Sequence, residues 1–283
     1  MSAVSIQPLC AINAFESQLK TLCVKEFPCG LGNWRENHKK GKKVIEKNKV
    51  ISQFSITLKD YGAVHEKTET LSELLSAKRS PWNLDYSWSD EAKRLREIAV
   101  KSPWLIDNNF IFSHFVTLRL IDRQITVLDE EFLKFSNLEE LTLSANYLKT
   151  VDSRNFPPNL KVLELCGNQI SQMEDLCKQS PPLQHLGLGH NALTSVEDYI
   201  TSQYWPCLLS LDLSHNHLVD LMDIIRKLQS LPKLRNLILL GNPLAMQPGY
   251  RGYTIDSIRN LDFLDDISIS ADEKHIYKGL ARK

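Results

Sequence analysis

From residue 115 onward, apolar and polar positions return in one fixed order: an apolar residue, a second three places on, a third two further, then an Asn and a last apolar residue. The copies are Leu138, Leu141, Leu143, Asn146 and Leu148; Leu160, Leu163, Leu165, Asn168 and Ile170; Leu183, Leu186, Leu188, Asn191 and Leu193; Leu208, Leu211, Leu213, Asn216 and Leu218; and Leu234, Leu237, Leu239, Asn242 and Leu244. A degenerate copy precedes them, Phe115, Leu118, Leu120, Arg123 and Ile125, with Arg in place of Asn. From position 123 to 146, 168, 191, 216 and 242 the spacings are 23, 22, 23, 25 and 26 residues. The period-2 leucines in each copy predict a short strand with one face turned inward. A unit this small cannot bury that face alone, so the coils must stack on one another.

The pattern is that of a leucine-rich repeat. It predicts an α/β solenoid with a curved, parallel β-sheet, a helical N-terminal cap and a C-terminal repeat cap. The expected division is a tail with a short helix and a basic linker over 1–58, a helical cap over 59–112, six repeats over 113–245 and a C-terminal cap over 246–283. Leu221, Ile224, Ile225, Leu228 and Leu231 have helical spacing and predict a helix ending near Pro232. Val196 to Tyr204 reads as helical too. The coils with Pro157-Pro158 and Pro181-Pro182 should close through turns or 3₁₀ segments.

Both ends of such a stack need covers. Downstream, Tyr250, Ile255, Ile258, Leu261, Phe263 and Leu264 form an apolar set closed by Asp265-Asp266. Upstream, Leu71, Leu74 and Leu75 make one amphipathic patch, and Leu95, Ile98 and Ala99 another, begun by Ser89 or Asp90. Phe15, Leu19, Leu22 and Cys23 suggest a short helix near the start.

The recurring Asn stands where the chain turns inward, so its amide must satisfy backbone groups. Asn146, Asn168, Asn191, Asn216 and Asn242 therefore form a structural ladder, not a catalytic set. Recognition falls to the side chains that alternate with the inward leucines. These are Thr117, Arg119 and Ile121; Glu140, Thr142 and Ser144; Val162, Glu164 and Cys166; His185, Gly187 and Gly189; Ser210, Asp212 and Ser214; and Asn236, Ile238 and Leu240. From this concave face and its margin, Arg119, Glu140, Thr142, Glu164, Cys166, His185, His190, Asp212, His215 and Asn236 are the candidate partner-binding residues. Gly187, Gly189, Ser210 and Ser214 leave a shallow trough beside Glu140, Glu164 and Asp212 for a partner helix or basic loop; alternatively, the glycines only allow tight coil packing.

Composition narrows the partners. The 283 residues carry 34 Lys+Arg against 34 Asp+Glu, so no net field draws the chain to nucleic acid or to an anionic membrane. No apolar run approaches the roughly 20 residues of a membrane span, and the first basic residue is Lys20, so no secretory signal is expected. Six scattered cysteines and the absence of any Asn-x-Ser/Thr acceptor point to a reducing, cytoplasmic compartment. Arg35 to Lys49 holds seven Lys/Arg against two Glu, without interleaved aromatics, and reads as a solvated linker rather than a nucleic-acid platform.

His185, His190, His215 and His217 cluster near Cys166, but the ligand set is incomplete, and Cys23 and Cys29 have no downstream pair, so neither a metal nor a cofactor is expected. No phosphate loop, nucleophile elbow or His-Glu-x-x-His occurs. A Cys166/His190 nucleophilic pair lacks an orienting group and oxyanion donors, so the chain reads as a non-catalytic, monomeric binder of protein.

Particular stretches carry a closer resemblance: Lys25 to Trp34 (KEFPCGLGNW), Ser80-Pro81-Trp82, Leu138 to Asn146 (LEELTLSAN), Leu183 to Asn191 (LQHLGLGHN), Tyr250 to Ser257 (YRGYTIDS) and Glu273-Lys274-His275. From about Lys20 onward the chain is similar to the leucine-rich repeat-containing protein 43 family, of the cytosolic class of repeats. The resemblance brings no catalytic residues. It implies an intracellular interaction scaffold whose wider relatives include ciliary dynein-associated and phosphatase-regulating proteins. The expected function is thus partner binding on the concave face in a ciliary or cytoskeletal assembly, at the cilium or axoneme, or else regulation of an enzyme such as a protein phosphatase. Family members continue past the cap, so this chain reads as a short or truncated form.

Overall fold

A computed structural model of the chain describes residues 9–20, 90–179, 181–196 and 199–282. The chain divides into two units, one of Met1–Phe15 with Val116–Lys283 and the other of Glu16–Phe115. The patch at Leu71, Leu74 and Leu75, the residues Ser89, Leu22, Cys23 and Cys29, and the basic stretch 35–49 lie outside the described residues.

The larger unit is the repeat stack. Each copy contributes one three-residue strand: β1 (Thr117–Arg119), β2 (Glu140–Thr142), β3 (Val162–Glu164), β4 (His185–Gly187), β5 (Ser210–Asp212) and β6 (Asn236–Ile238). Two shorter strands follow, β7 (Phe263–Leu264) and β8 (Ile267–Ser268). Among the described residues they make one sheet in sequence order, parallel from β1 to β7 and antiparallel at β8. Register is uniform: Leu118, Leu141, Leu163, Leu186, Leu211, Leu237 and Leu264 stand opposite one another in a single inward row. Every repeat leucine of that row and of the row two residues on is buried. Burial of each contributes on the order of 1.5 to 3 kcal/mol, shared between neighbouring coils.

The connections are mostly 3₁₀ turns, at Glu130–Lys134, Ser153–Asn155 and Asp175–Cys177. The longer fifth coil carries a helix, Leu221–Leu228, opened by Asp220 accepting from Asp223 N and burying Leu221, Ile224, Ile225 and Leu228. It stops four residues before Pro232, and Leu231 is buried beyond it. The helix expected over Val196 to Tyr204 is not present as an α-helix among the described residues. Tyr199 is in a 3₁₀ turn and 200–204 are turns and bends, while Glu197 and Asp198 lie outside the description. Trp205 explains the shape: its indole Nε1 donates to Tyr199 O at 2.8 Å, with the ring buried, and this holds the segment in a tight loop.

Residues far apart in sequence cover the first coil. Cys10 forms a parallel bridge to Val127, Ala11 N donates to Val127 O at 2.9 Å, and Thr126 N donates to Leu9 O at 3.0 Å. The helix Ala11–Lys20 starts there, with Ile12 N held by Asp129 Oδ2 and Phe15 edge-on to Phe135 at 5.0 Å. At the other end, Asp265 Oδ1 accepts from Leu239 N and Leu240 N at 2.8 and 2.9 Å, and Tyr250 donates its hydroxyl to Oδ2. Burial beside that carboxylate pushes the Tyr250 phenol well above its ordinary value. The cap helices Tyr250–Ser257 and Ala271–Ile276 are joined by Arg251 Nε, which donates to Glu273 Oε1 at 2.6 Å.

The smaller unit is described over 16–20 and 90–115. The helix Asp90–Lys101 buries Leu95 and Ala99. The helix Asn108–His114 begins at Asp107, whose Oδ1 accepts from Phe110 N at 2.7 Å, and His114 Nε2 lies 2.7 Å from Glu91 O. No described helix is long and apolar enough to cross a membrane.

Candidate partner-binding face

Each ladder Asn works in two coils at once. Asn168 Oδ1 accepts from Leu148 N in the coil before it, and its Nδ2 donates to Leu143 O there and to Leu165 O in its own coil. Asn191, Asn216 and Asn242 repeat this with Ile170, Leu193 and Leu218 as donors. Asn146 accepts from both Arg123 N and Ile125 N. All five are buried. The residue before each Asn takes the left-handed conformation: Ala145, Gly167, His190, His215 and Gly241 have φ of 57, 71, 52, 49 and 77°. Three of these five are not glycine, and of the side-chain-bearing residues histidine is among those that tolerate this conformation best.

Outside that ladder the sheet presents its other face. Arg119 and Glu140 are exposed; Thr142, Glu164, Cys166, His185, Asp212 and Asn236 are half-buried. Uniform register links side chains of four separate strands into one polar chain. His185 Nε2 lies 3.1 Å from Glu164 Oε2, His185 Nδ1 lies 3.0 Å from Ser210 Oγ, and Asn236 Nδ2 donates to Ser210 Oγ at 3.1 Å. The Glu164 carboxylate can only accept, so His185 Nε2 donates to it, and in the tautomer that carries its proton on Nε2 the other ring nitrogen, Nδ1, accepts from the Ser210 hydroxyl. Ser210 was read from sequence as a small face residue of the expected trough, not as a bonding partner of His185. Nothing in the repeat pattern marks it, because its partners lie 25 and 26 residues away.

A serine, a histidine and a carboxylate in hydrogen-bond contact resemble a nucleophile with its base. The surroundings do not complete one. The amides of Leu209, Ser210, Leu213 and Ser214 all donate within the protein, to Gln184 O, Gln184 O, Ile238 O and Asp212 Oδ1, and so are not free to hold an oxyanion. The Cys166/His190 pair is also unsupported: burial, then the charges of Glu164 and Asp212, push the Cys166 thiol above its ordinary value and away from the reactive thiolate.

The trough expected at Gly187 and Gly189 is filled. A Cβ on Gly187 would meet Glu164 Oε1 at 2.0 Å, and one on Gly189 would meet Ser214 Oγ at 2.8 Å and Asp212 Oδ2 at 3.0 Å. The glycines make room for carboxylates that lie across them, so both are buried and the face is level there. His190 and His215 stand at the margin with rings stacked at 4.1 Å and 13°. Face-to-face rings do not aim their nitrogens at one ion, and among the described residues no group of three His, Cys, Asp or Glu side chains converges for a metal. The thiols of Cys10, Cys166, Cys177 and Cys207 are all unbridged.

One further difference concerns Phe263, expected in the cap's apolar set. It is 47% exposed, because its register opposite Asn236 turns it to the open face, whereas Tyr250, Ile255, Ile258, Leu261 and Leu264 are buried. With half-buried Ile238 and with Leu240, 54% exposed, it makes the β6–β7 end of the face apolar.

Residues 18–107 match the family model described as the leucine-rich repeat-containing protein 43 N-terminal domain, and 136–193 and 183–279 match two leucine-rich-repeat models. Leucine-rich repeat-containing protein 43 of Homo sapiens is 45% identical over 272 residues, 95% of this chain and 41% of that protein. The Mus musculus protein of the same description is 44% identical over 93% of this chain and 39% of its own length. The chain therefore spans about two fifths of the length of these relatives. U2 small nuclear ribonucleoprotein A' of Arabidopsis thaliana is 32% identical over 48% of this chain and 53% of that protein. Among solved structures, the Drosophila melanogaster SNF/U2A' complex aligns at 23% identity with a TM-score of 0.39, over 59% of this chain and 82% of that chain. An internalin from Listeria monocytogenes aligns at 15% identity with a TM-score of 0.40, over 60% of this chain and 53% of that chain. With its N-terminal segment and its repeats both matched, the chain belongs to the leucine-rich-repeat proteins, in the family of leucine-rich repeat-containing protein 43.

Proposed function

We propose that the chain is a non-catalytic scaffold that binds a protein partner on the open face of its sheet, through Arg119, Glu140, Thr142, Glu164, Asp212 and Asn236. One observation carries the reading: the inward positions repeat from coil to coil while the outward ones differ in every coil, so the outward set encodes something other than the fold. His185 and the Cys166 amide shape this face by holding the two oxygens of Glu164, whereas His190 and His215 border it.

The setting is a ciliary or cytoskeletal assembly in the cytoplasm, a reading that rests on the family resemblance. Proximity labelling in multiciliated cells tests place and surface together, comparing the native chain with E140K/E164K/D212K. Axonemal neighbours that disappear with the substitutions are the expected result. Neighbours that persist move the binding off this face, and neighbours confined to the rest of the cytoplasm remove the ciliary setting.

A further inference from the structure

The open face is not uniform along the stack. At its C-terminal end Ile238, Leu240 and Phe263 form an exposed to half-exposed apolar patch on β6 and β7. Along the rest of the face, Glu140, Glu164 and Asp212 occupy β2, β3 and β5, and no Lys or Arg stands at any face position from β2 to β6. Glu140 is exposed, and Thr117 Oγ1 donates to it across a long 3.4 Å. Among the described residues Asp212 accepts from Ser214 N in its own coil, and a carboxylate keeps further lone pairs for another donor.

The backbone of the sheet cannot recognise a ligand here, because its amides and carbonyls are spent in the parallel ladder. Recognition must come from side chains. An apolar patch excludes water and anchors hydrophobic or aromatic groups, while carboxylates on the rest of the face favour cations and reject anions.

We infer that the face takes a linear segment of a partner protein that is basic at one end and aromatic or aliphatic at the other, with Lys or Arg over Glu140 and Asp212 and the apolar end on Ile238, Leu240 and Phe263. The inference rests on the scaffold reading above and adds to it the chemistry and direction of the occupant. Strands about 4.8 Å apart put β7 about 24 Å from β2, the length of about seven extended or 16 helical residues. A single short segment reaches both ends.

The test is selection of the full chain against a display library of random 16-residue peptides, followed by fluorescence anisotropy of the enriched peptides. Enriched sequences that place Lys/Arg on one side of aromatic or aliphatic residues are expected. Such peptides should lose about tenfold or more in affinity with E140K/D212K and likewise with L240S/F263S. All four residues stand on the open face, Asp212 also holding Ser214 N, and a peptide with Lys/Arg replaced by Glu should bind E140K/D212K better than the native chain, which separates lost charge from lost folding.

Peptides blocked by Thr142→Trp but indifferent to both pairs would keep the face as the receptor and overturn the proposed chemistry. Peptides indifferent to all three variants would overturn the scaffold reading of this face as well. No enrichment of any peptide would overturn the linear segment alone, leaving a folded partner as the occupant.

Discussion

The two sides of the same strands obey different rules. On the inward side, Leu141, Leu163, Leu186 and Leu211 occupy one row, and the Asn of each coil makes the same bonds as the next. On the outward side the positions beside them read Glu140, Val162, His185 and Ser210, with no repetition at all. The inward side faces a copy of itself, so a single solution serves every coil. The outward side has no copy of itself to face, and the chain that orders part of it, from Glu164 through His185 and Ser210 to Asn236, is made of four different residues.

Substitution should expose that asymmetry most strongly at a leucine. Leu186→Ala removes a fully buried side chain between two coils and should lower the unfolding free energy by about 2 to 5 kcal/mol, whereas Glu140→Lys, on the same sheet's other face, should change it by less than about 0.5 kcal/mol. Urea unfolding of the two variants compares them directly, and equal losses would erase the distinction between the faces.

A smaller effect is expected at the ladder. Asn191→Ala leaves Ile170 N and the carbonyls of Leu165 and Leu188 without their side-chain partner and should cost about 1 to 3 kcal/mol. An unchanged melting temperature would show that these backbone groups find other partners.

The smallest effect lies at the C-terminal cap. Arg251 holds the Glu273 carboxyl below its ordinary value near 4.5, so the folded cap binds fewer protons than the unfolded chain. That stabilisation is fully present above about pH 4.5 and is lost as the pH falls through the lower, folded value. Amide exchange in 271–276 should therefore accelerate on acidification below that point, and Glu273→Gln should be less sensitive to acid over the same interval.

Legibility followed the same divide. Asn146, Asn168, Asn191, Asn216 and Asn242 were identifiable before any coordinates because periodicity repeats the clue five times. The bonds of Ser210 were not, since they join a histidine in the coil before it and an amide in the coil after it, and neither is signalled locally. Gly187 and Gly189 could be read as a hollow or as a packing device. The Glu164 and Asp212 carboxylates lying across them are what close the hollow. Phe263 looked like core by hydrophobicity alone, and its pairing with Asn236 put it outside.

By itself, the sequence determined the number and order of the coils, which leucines go inward, and the places where the chain must turn, because each follows from a local period that any stacked neighbour satisfies in the same way. Only the tertiary structure decided what covers the first coil, where Leu9 and Thr126 meet across 117 residues, and which outward side chains touch. Those outcomes depend on register between coils, and register is set by the packing of the whole inward row rather than by any residue on the face.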